Sequence, residues 1–297
     1  LAQAESQAGP DHAAEAAQVR WVSARELGAL AGVLVASLLP ALAGWPATVA
    51  LWWLLAGLAA WALLPLRSVA SAPWSAPVRA AALVEARVPP HTLPRAWVGP
   101  LLVQLVSGIA SAVPSALVLL VVGDVLGGGP SLQALALLLY FGSAAAALPL
   151  ASRAVQRWGA ARAWSLGMGA AALAFLPFGM APTPAVFLLM CLLTGAALAL
   201  ETLAGQTLWI ARLEAGGAAQ RARGFGWWAL VNKSTLALAA GLALPLAHAL
   251  GYRAAQGDAA AHDPAALLAV YVGLPVAFKL AAAALWALPR HRKEIAA

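Results

Sequence analysis

Charge is what this sequence has least of. Of 297 residues only 10% are Asp, Glu, Lys or Arg, while 63% are apolar. A soluble domain carries about 25% charged residues and about 45–50% apolar ones. So few charges cannot cover a water-facing surface, which excludes a soluble globular enzyme. Cysteine is nearly absent as well. Cys191 stands alone inside an apolar run, so there is no disulfide framework and no cysteine-based metal site. No signal-peptide pattern opens the sequence at Leu1, where a polar, alanine-rich stretch runs to Glu26. Acidic residues are outnumbered by basic ones, leaving a net charge of +7. The basic residues are scattered between apolar runs rather than clustered, so a nucleic-acid partner is not expected. What the chain does have is long apolar runs, and these make it an all-α integral membrane protein with the lipid bilayer as its first partner.

A helix needs about 20 mainly apolar residues to cross the hydrocarbon core. Leu27 to Leu66 is uncharged for 40 residues and is broken by Gly44-Trp45-Pro46 into two spans, 27–44 and 47–66. A third span covers 96–123 and ends at Asp124 and the Gly127-Gly128-Gly129-Pro130 turn. A fourth covers 131–151. Pro182-Thr183-Pro184 divides the next apolar stretch into 162–181 and 184–211, and 224–250 and 264–288 complete the set. The expectation is about eight transmembrane helices.

Basic residues orient such a bundle, because Lys and Arg in short loops stay cytoplasmic. Fifteen of the eighteen fall before span one or after spans two, four, six and eight. Among the alternate loops only Arg253 is basic, and Lys233 and Lys279 lie inside helices. Both ends of the chain are therefore expected to be cytoplasmic. Trp21, Trp45, Trp97, Trp158, Trp164, Trp209, Trp227 and Trp286 fall near expected helix ends, where indole prefers the headgroup region.

Residues 67–95, rich in Pro and Arg, divide the chain. Residues 1–66 hold a cytoplasmic segment and two spans, 96–289 hold six spans, and 290–297 form a basic tail. Six spans after a long cytoplasmic loop match one half of a transporter built from two six-helix halves. On this reading four N-terminal spans of the same protein are missing from the sequence.

Four stretches carry a family likeness. They are Arg20-Trp21-Val22-Ser23-Ala24-Arg25-Glu26 with the apolar run after it, Ser107-Gly108-Ile109-Ala110-Ser111-Ala112-Val113-Pro114, and the basic loop Arg153 to Arg162. The fourth, Arg221-Ala222-Arg223-Gly224-Phe225-Gly226-Trp227-Trp228 with Asn232-Lys233 and Leu250-Gly251-Tyr252, is the most specific. In these the chain resembles the glycoside–pentoside–hexuronide:cation symporters, the melibiose permease group of the major facilitator superfamily. The resemblance implies a major facilitator-type helical bundle in the bacterial cytoplasmic (inner) membrane. It also implies cation-coupled symport of a small organic solute, a sugar or glycoside, by alternating access, with Na+ or H+ as the coupling cation and no other cofactor. The family's acidic pair near the end of its tenth helix is absent, since the matching stretch reads Ala204-Gly205-Gln206-Thr207-Leu208-Trp209-Ile210. The family's cation-site carboxylates lie on its second and fourth helices, so no cation site is assigned in this chain.

Charged residues within a bilayer are rare and mark a pathway or a pair. Glu201 lies ten residues from the end of its span, Lys233 nine from the start of its own and Lys279 nine from the end of the last. At 1.5 Å per residue all three are roughly 14–15 Å deep, the depth of transporter substrate sites. Glu201 is expected to pair with Lys233, which matches the family's eleventh-helix lysine. Lys279 is able to snorkel toward the cytoplasmic face. Gln104, Ser107, Ser111 and Ser115 share one face of a helix, suited either to a solute or to close helix packing. Trp228, Asn232 and Thr235 share another, offering an aromatic plate and an amide to a sugar. The candidate substrate-binding or coupling residues are thus Lys233, Glu201, Asn232, Trp228, Gln104, Ser107 and Ser111. Asp124 is expected to be a helix-end or turn residue.

The alternatives are an intramembrane enzyme and a non-transporting scaffold or inactive fragment. Val122-Gly123-Asp124 has no second aspartate for an aspartyl protease, and Leu105-Val106-Ser107-Gly108 lacks the leading glycine of a rhomboid-type serine site. No His-Glu-x-x-His run or phosphate loop is present. No catalytic or metal-ligating residue is assigned.

Overall fold

In a computed structural model, residues 93–214, 216–253 and 264–287 are described. Among them every regular element is helical: α1 (Arg95–Leu120, continued by a π-helical turn Val121–Val125), α2 (Pro130–Trp158), α3 (Ala160–Met180), α4 (Pro184–Glu214), α5 (Ala218–Ala249) and α6 (Pro264–Ala287). All six are long and apolar enough to cross a membrane. They coincide with expected spans three to eight, with ends shifted by a few residues. Spans one and two, at 27–44 and 47–66, lie outside the described residues, as do residues 67–92 of the divider 67–95, whose last residue, Arg95, opens α1. An all-helical answer follows from the solvent, since a lipid-exposed backbone must satisfy its hydrogen bonds within its own segment.

Local chemistry sets the turns. Gly127 takes φ 58° between α1 and α2, and Pro130 opens α2 at a position where its missing N–H is not needed. Gly159 alone joins α2 to α3, at φ 78°, a region that only glycine enters without penalty. Between α3 and α4, Thr183 Oγ1 accepts from Val186 N–H at 3.4 Å and caps the new helix. At the end of α5, Gly251 has φ 103°. Its N–H reaches the His248 carbonyl at 3.0 Å, while Tyr252 N–H reaches back to Ala247 at 2.9 Å. This is the paired closure that ends a helix on a left-handed glycine.

Successive helices run in alternating directions, so the starts of α1, α3 and α5 lie with the ends of α2, α4 and α6. That end carries Arg95, Arg157, Arg162, Arg212, Arg221 and Arg223. Trp97, Trp158, Trp164, Trp209, Trp227 and Trp286 lie near the same end, as expected of interfacial indoles. The principal packing neighbours are α2 with α4, α4 with α3, α3 with α6, α6 with α1 and α1 with α5. Buried Val113, Leu117, Phe178, Phe187 and Tyr271 form one core toward the end opposite the arginines. Val103, Leu148, Trp164, Met168, Leu203 and Trp286 form a second core nearer to them. The polar centre described next lies on the residues between these cores.

Candidate functional site

Three helices bring the centre together. On α1, Ser107 and Ser111 are four residues apart and therefore on one face, and α4 and α6 meet that face with Glu201 and Lys279. Lys279 Nζ donates to Glu201 Oε2 at 2.5 Å, to Ser111 Oγ at 2.8 Å and to Ser107 Oγ at 3.0 Å. Those three acceptors use all three ammonium hydrogens. Ser107 Oγ in turn donates to Glu201 Oε2 at 2.8 Å. Glu201 is 7% exposed and Lys279 2%. Two charges so deeply buried persist only because they neutralise and hydrogen-bond each other.

The small residue Gly167 lets the carboxylate in. A Cβ on Gly167 would lie 2.7 Å from Glu201 Cγ and 3.2 Å from Glu201 N, so α3 approaches α4 here more closely than any side chain permits. Gly108 does the same between α1 and α5, where its Cβ would meet Thr235 Cγ2 at 2.5 Å.

Two cavities meet at this pair. The first, about 220 Å³, is polar, and Gln104, Thr202, Gln206, Trp228, Asn232 and Thr235 contribute to its walls. Within it Gln104 Nε2 donates to Asn232 Oδ1 at 2.8 Å, and Asn232 Nδ2 donates to the Trp228 carbonyl at 2.8 Å. Trp228 is held by stacking on Trp209, with ring centroids 5.3 Å apart and planes at 20°. Trp209 meets Trp97 edge-on at 5.4 Å. The second cavity, about 120 Å³, is mainly apolar, with Val118, Tyr140, Phe175, Met190 and Tyr271 among its walls. Ser111 and Glu201 line both cavities, and Lys279 lines the apolar one. The polar cavity reaches from this level toward the arginine-rich end, past Gln104 on α1 and Gln206 on α4. The apolar one reaches toward the opposite end, past Val118 on α1 and Met190 on α4.

Several expectations change here. Glu201 pairs with Lys279 and not with Lys233. Lys233 is exposed and lines neither cavity, because the face of α5 turned to α1 carries Thr235 and the cavity face carries Asn232. Lys279 does not snorkel. Its helix packs on α1 and α3, which encloses the side chain and offers it a carboxylate and two hydroxyls. The serine stripe divides by function: Gln104 faces the polar cavity, Ser107 and Ser111 hold the lysine, and Ser115 lines the apolar cavity. The signal for Lys279 was present in the sequence, as a lysine at the same depth as Glu201 facing two hydroxyls at helical spacing. Depth alone did not separate it from Lys233.

Asp124 lies in the π-helical turn and accepts a hydrogen bond from Tyr252 Oη at 2.5 Å, tying the end of α1 to the end of α5. Burial, then this bond to Asp124, holds the Tyr252 phenol well above its ordinary pKa. Tyr252 therefore remains a donor throughout the physiological range.

This geometry is a solute-sized polar pocket set against a buried ion pair in an all-helical bundle. A family model described as MFS/sugar transport protein matches residues 91–289. The chain belongs to that family. The match covers all six described helices and makes this MFS/sugar transport protein a multi-pass membrane transporter rather than an intramembrane enzyme. Comparison with curated proteins and with solved structures found no match. Among the described residues there is no grouping of His, Cys, Asp and Glu suited to a metal ion.

Proposed function

We propose that this MFS/sugar transport protein is a melibiose permease-like secondary transporter that moves a sugar or glycoside by cation-coupled symport across a bacterial cytoplasmic membrane. The observation that carries the reading is the polar cavity, in which two amides and an indole are pre-positioned. A polyhydroxylated solute presents alternating donors and acceptors with an apolar ring face. Gln104 and Asn232 fit the first, and Trp228, fixed by its stack on Trp209, fits the second. Buried hydrogen-bonding groups that a solute must satisfy discriminate strongly between polar ligands. Ser107 and Ser111 shape the floor through Lys279 and Glu201, and Lys233, exposed on a neighbouring face of α5, is an outer contact. Both ends of the chain are taken as cytoplasmic from the Lys and Arg asymmetry, which reporter fusions at Ala297 and within 67–95 test directly.

The deciding experiment is uptake of a labelled panel of monosaccharides and glycosides into proteoliposomes containing the full-length protein. Saturable uptake of at least one sugar is expected, reduced tenfold or more by Asn232→Ala with insertion unchanged. Absence of saturable uptake for every sugar would sink the sugar reading.

A further inference from the structure

We infer that the groove between α2 and α4 at the arginine-rich end is a binding site for one anionic phospholipid, its phosphate held by Arg153 and Arg157 and one acyl chain laid along α2. The site is separate from the polar cavity, and the inference does not depend on the sugar reading.

Shape is the first argument. The groove encloses about 400 Å³ and is walled by Ala147, Ala151 and Ala154 of α2 and by Ala196 and Leu200 of α4. Leu200 stands two residues from both Leu198 and Thr202, which line the polar cavity. Two residues turn a helix through about 200°, so the groove lies on another side of α4. Leu189 and Leu193 continue its face along α4, and both are exposed. From Ala147 to Arg157 the groove follows ten residues, about 15 Å of helix. That is half of the roughly 30 Å hydrocarbon core, the depth of one leaflet. A small polar solute would leave these apolar walls uncovered.

Charge at the mouth is the second. Arg153 and Arg157 are one turn apart on α2, both exposed and both at the groove. Like charges at that spacing repel each other, and an anion between them relieves the repulsion. No described carboxylate pairs with either arginine. Other arginines at this end are engaged within the protein. Arg212 donates to the Ala96 carbonyl at 2.9 Å, and Arg223 lies over the Trp97 ring at 6.0 Å. A phosphodiester suits the free pair, because the planar guanidinium fork bonds phosphate oxygens two at a time. Basic pockets between membrane helices hold anionic headgroups in this way.

The third argument is the order of these groups along the membrane. Trp158 follows Arg157 at the mouth of the groove and is exposed, and an indole settles at the level of the headgroups. From the mouth inward the site thus presents guanidinium and indole, then alanine. A phospholipid has the same order in phosphate, glycerol backbone and acyl chain. A zwitterionic lipid fits the trough equally well but brings an ammonium beside its phosphate, which the two arginines repel. The trough therefore accepts a lipid tail, and the arginines select a headgroup of net negative charge.

The test needs no transported solute. Lipid binding to the delipidated full-length protein in detergent is measured by native mass spectrometry, with phosphatidylglycerol and phosphatidylcholine of matched chains. One phosphatidylglycerol is expected to bind at least tenfold more tightly than phosphatidylcholine and to resist displacement by inorganic phosphate. Arg153→Gln/Arg157→Gln, which alters only exposed side chains, should bring the two lipids level. Arg221→Gln at the same end of the bundle should change nothing. Ala154→Phe, which fills the trough and keeps both arginines, should also abolish the tight binding. If that variant does not fold, Ala147→Leu takes its place. Equal affinity for the two lipids, or displacement by inorganic phosphate, would overturn the inference. So would tight binding that survives the arginine or the trough substitution, or an equal loss in Arg221→Gln. The absence of any tightly bound phosphatidylglycerol, the result if another segment of the protein fills the groove, would overturn it as well.

Discussion

The middles of α5 and α6 hold the same residue at the same depth in opposite surroundings. Thr235, two residues from Lys233, packs on Gly108, and Lys279 reaches Ser107 and Ser111, so both lysines stand near the same level of α1. Around Lys279 the neighbours are Ser107, Ser111 and Glu201, and the side chain is 2% exposed. Around Lys233 the helix shows Leu230, Leu236 and Leu238 on its outside, and the side chain is exposed. The difference arises from the neighbours: α6 packs against both α1 and α3, whereas α5 has one extensive partner, α1. Depth in a membrane identifies a charge that needs an explanation, and packing supplies it.

Replacing the lysines separates the two regions most widely. Lys279→Met leaves Glu201 buried without its cation, and breaking a buried pair from one side costs about 3–5 kcal/mol. Lys233→Met should leave the unfolding midpoint in detergent unchanged. Adding Glu201→Gln to Lys279→Met should return most of the lost stability, as removal of both charges often does. Equal losses for the two lysines would break the comparison.

A smaller effect is expected at Ser107, which accepts from Lys279 and donates to Glu201. Ser107→Ala removes hydrogen bonds to charged groups and should cost about 1.5–3 kcal/mol in the same unfolding assay. A cost below that would mean that the ion pair holds itself without α1.

Glycines sharpen the contrast further. Gly167→Ala would push α3 off the Glu201 backbone, an overpacking cost of about 1–3 kcal/mol. Gly241→Ala on α5, where nothing lies within 4 Å of the added Cβ, should be tolerated. Unfolding midpoints of the two variants decide this.

The smallest change concerns the end of α5. Tyr252→Phe removes the tie to Asp124 at a cost of about 1 kcal/mol. Because the folded-state pKa of this phenol is raised, its contribution is complete below the ordinary tyrosine value of about 10. It is lost above that pH, as the unfolded chain ionises first. The stability difference between wild type and Tyr252→Phe should therefore narrow in alkali and remain level below it.

The helical spans of the described region were legible from hydropathy and punctuation because each is decided within its own twenty residues. Gly159, Gly127 to Pro130 and Gly251 mark the turns where the backbone requires them, and Asp124 falls at the helix end expected of it. The serine spacing on α1 placed Ser107 and Ser111 on one face without reference to any other helix. Glu201 was recognisable as a buried charge for the same reason. The partner of Glu201 was not. Both lysines satisfy every local criterion, and a helix sequence does not specify which of its faces meets which neighbour. That choice was made by α6 seating between α1 and α3, while Gly167 lets the Glu201 carboxylate of α4 in and two serines complete the ammonium's shell. The division into a polar and an apolar cavity has the same origin, since the polar one is walled by three helices and the apolar one by five. Local sequence determined the helices and their charges, because backbone hydrogen bonding in a membrane is a local matter. Tertiary packing determined the pair and the cavities, because burial of a charge depends on everything that surrounds it.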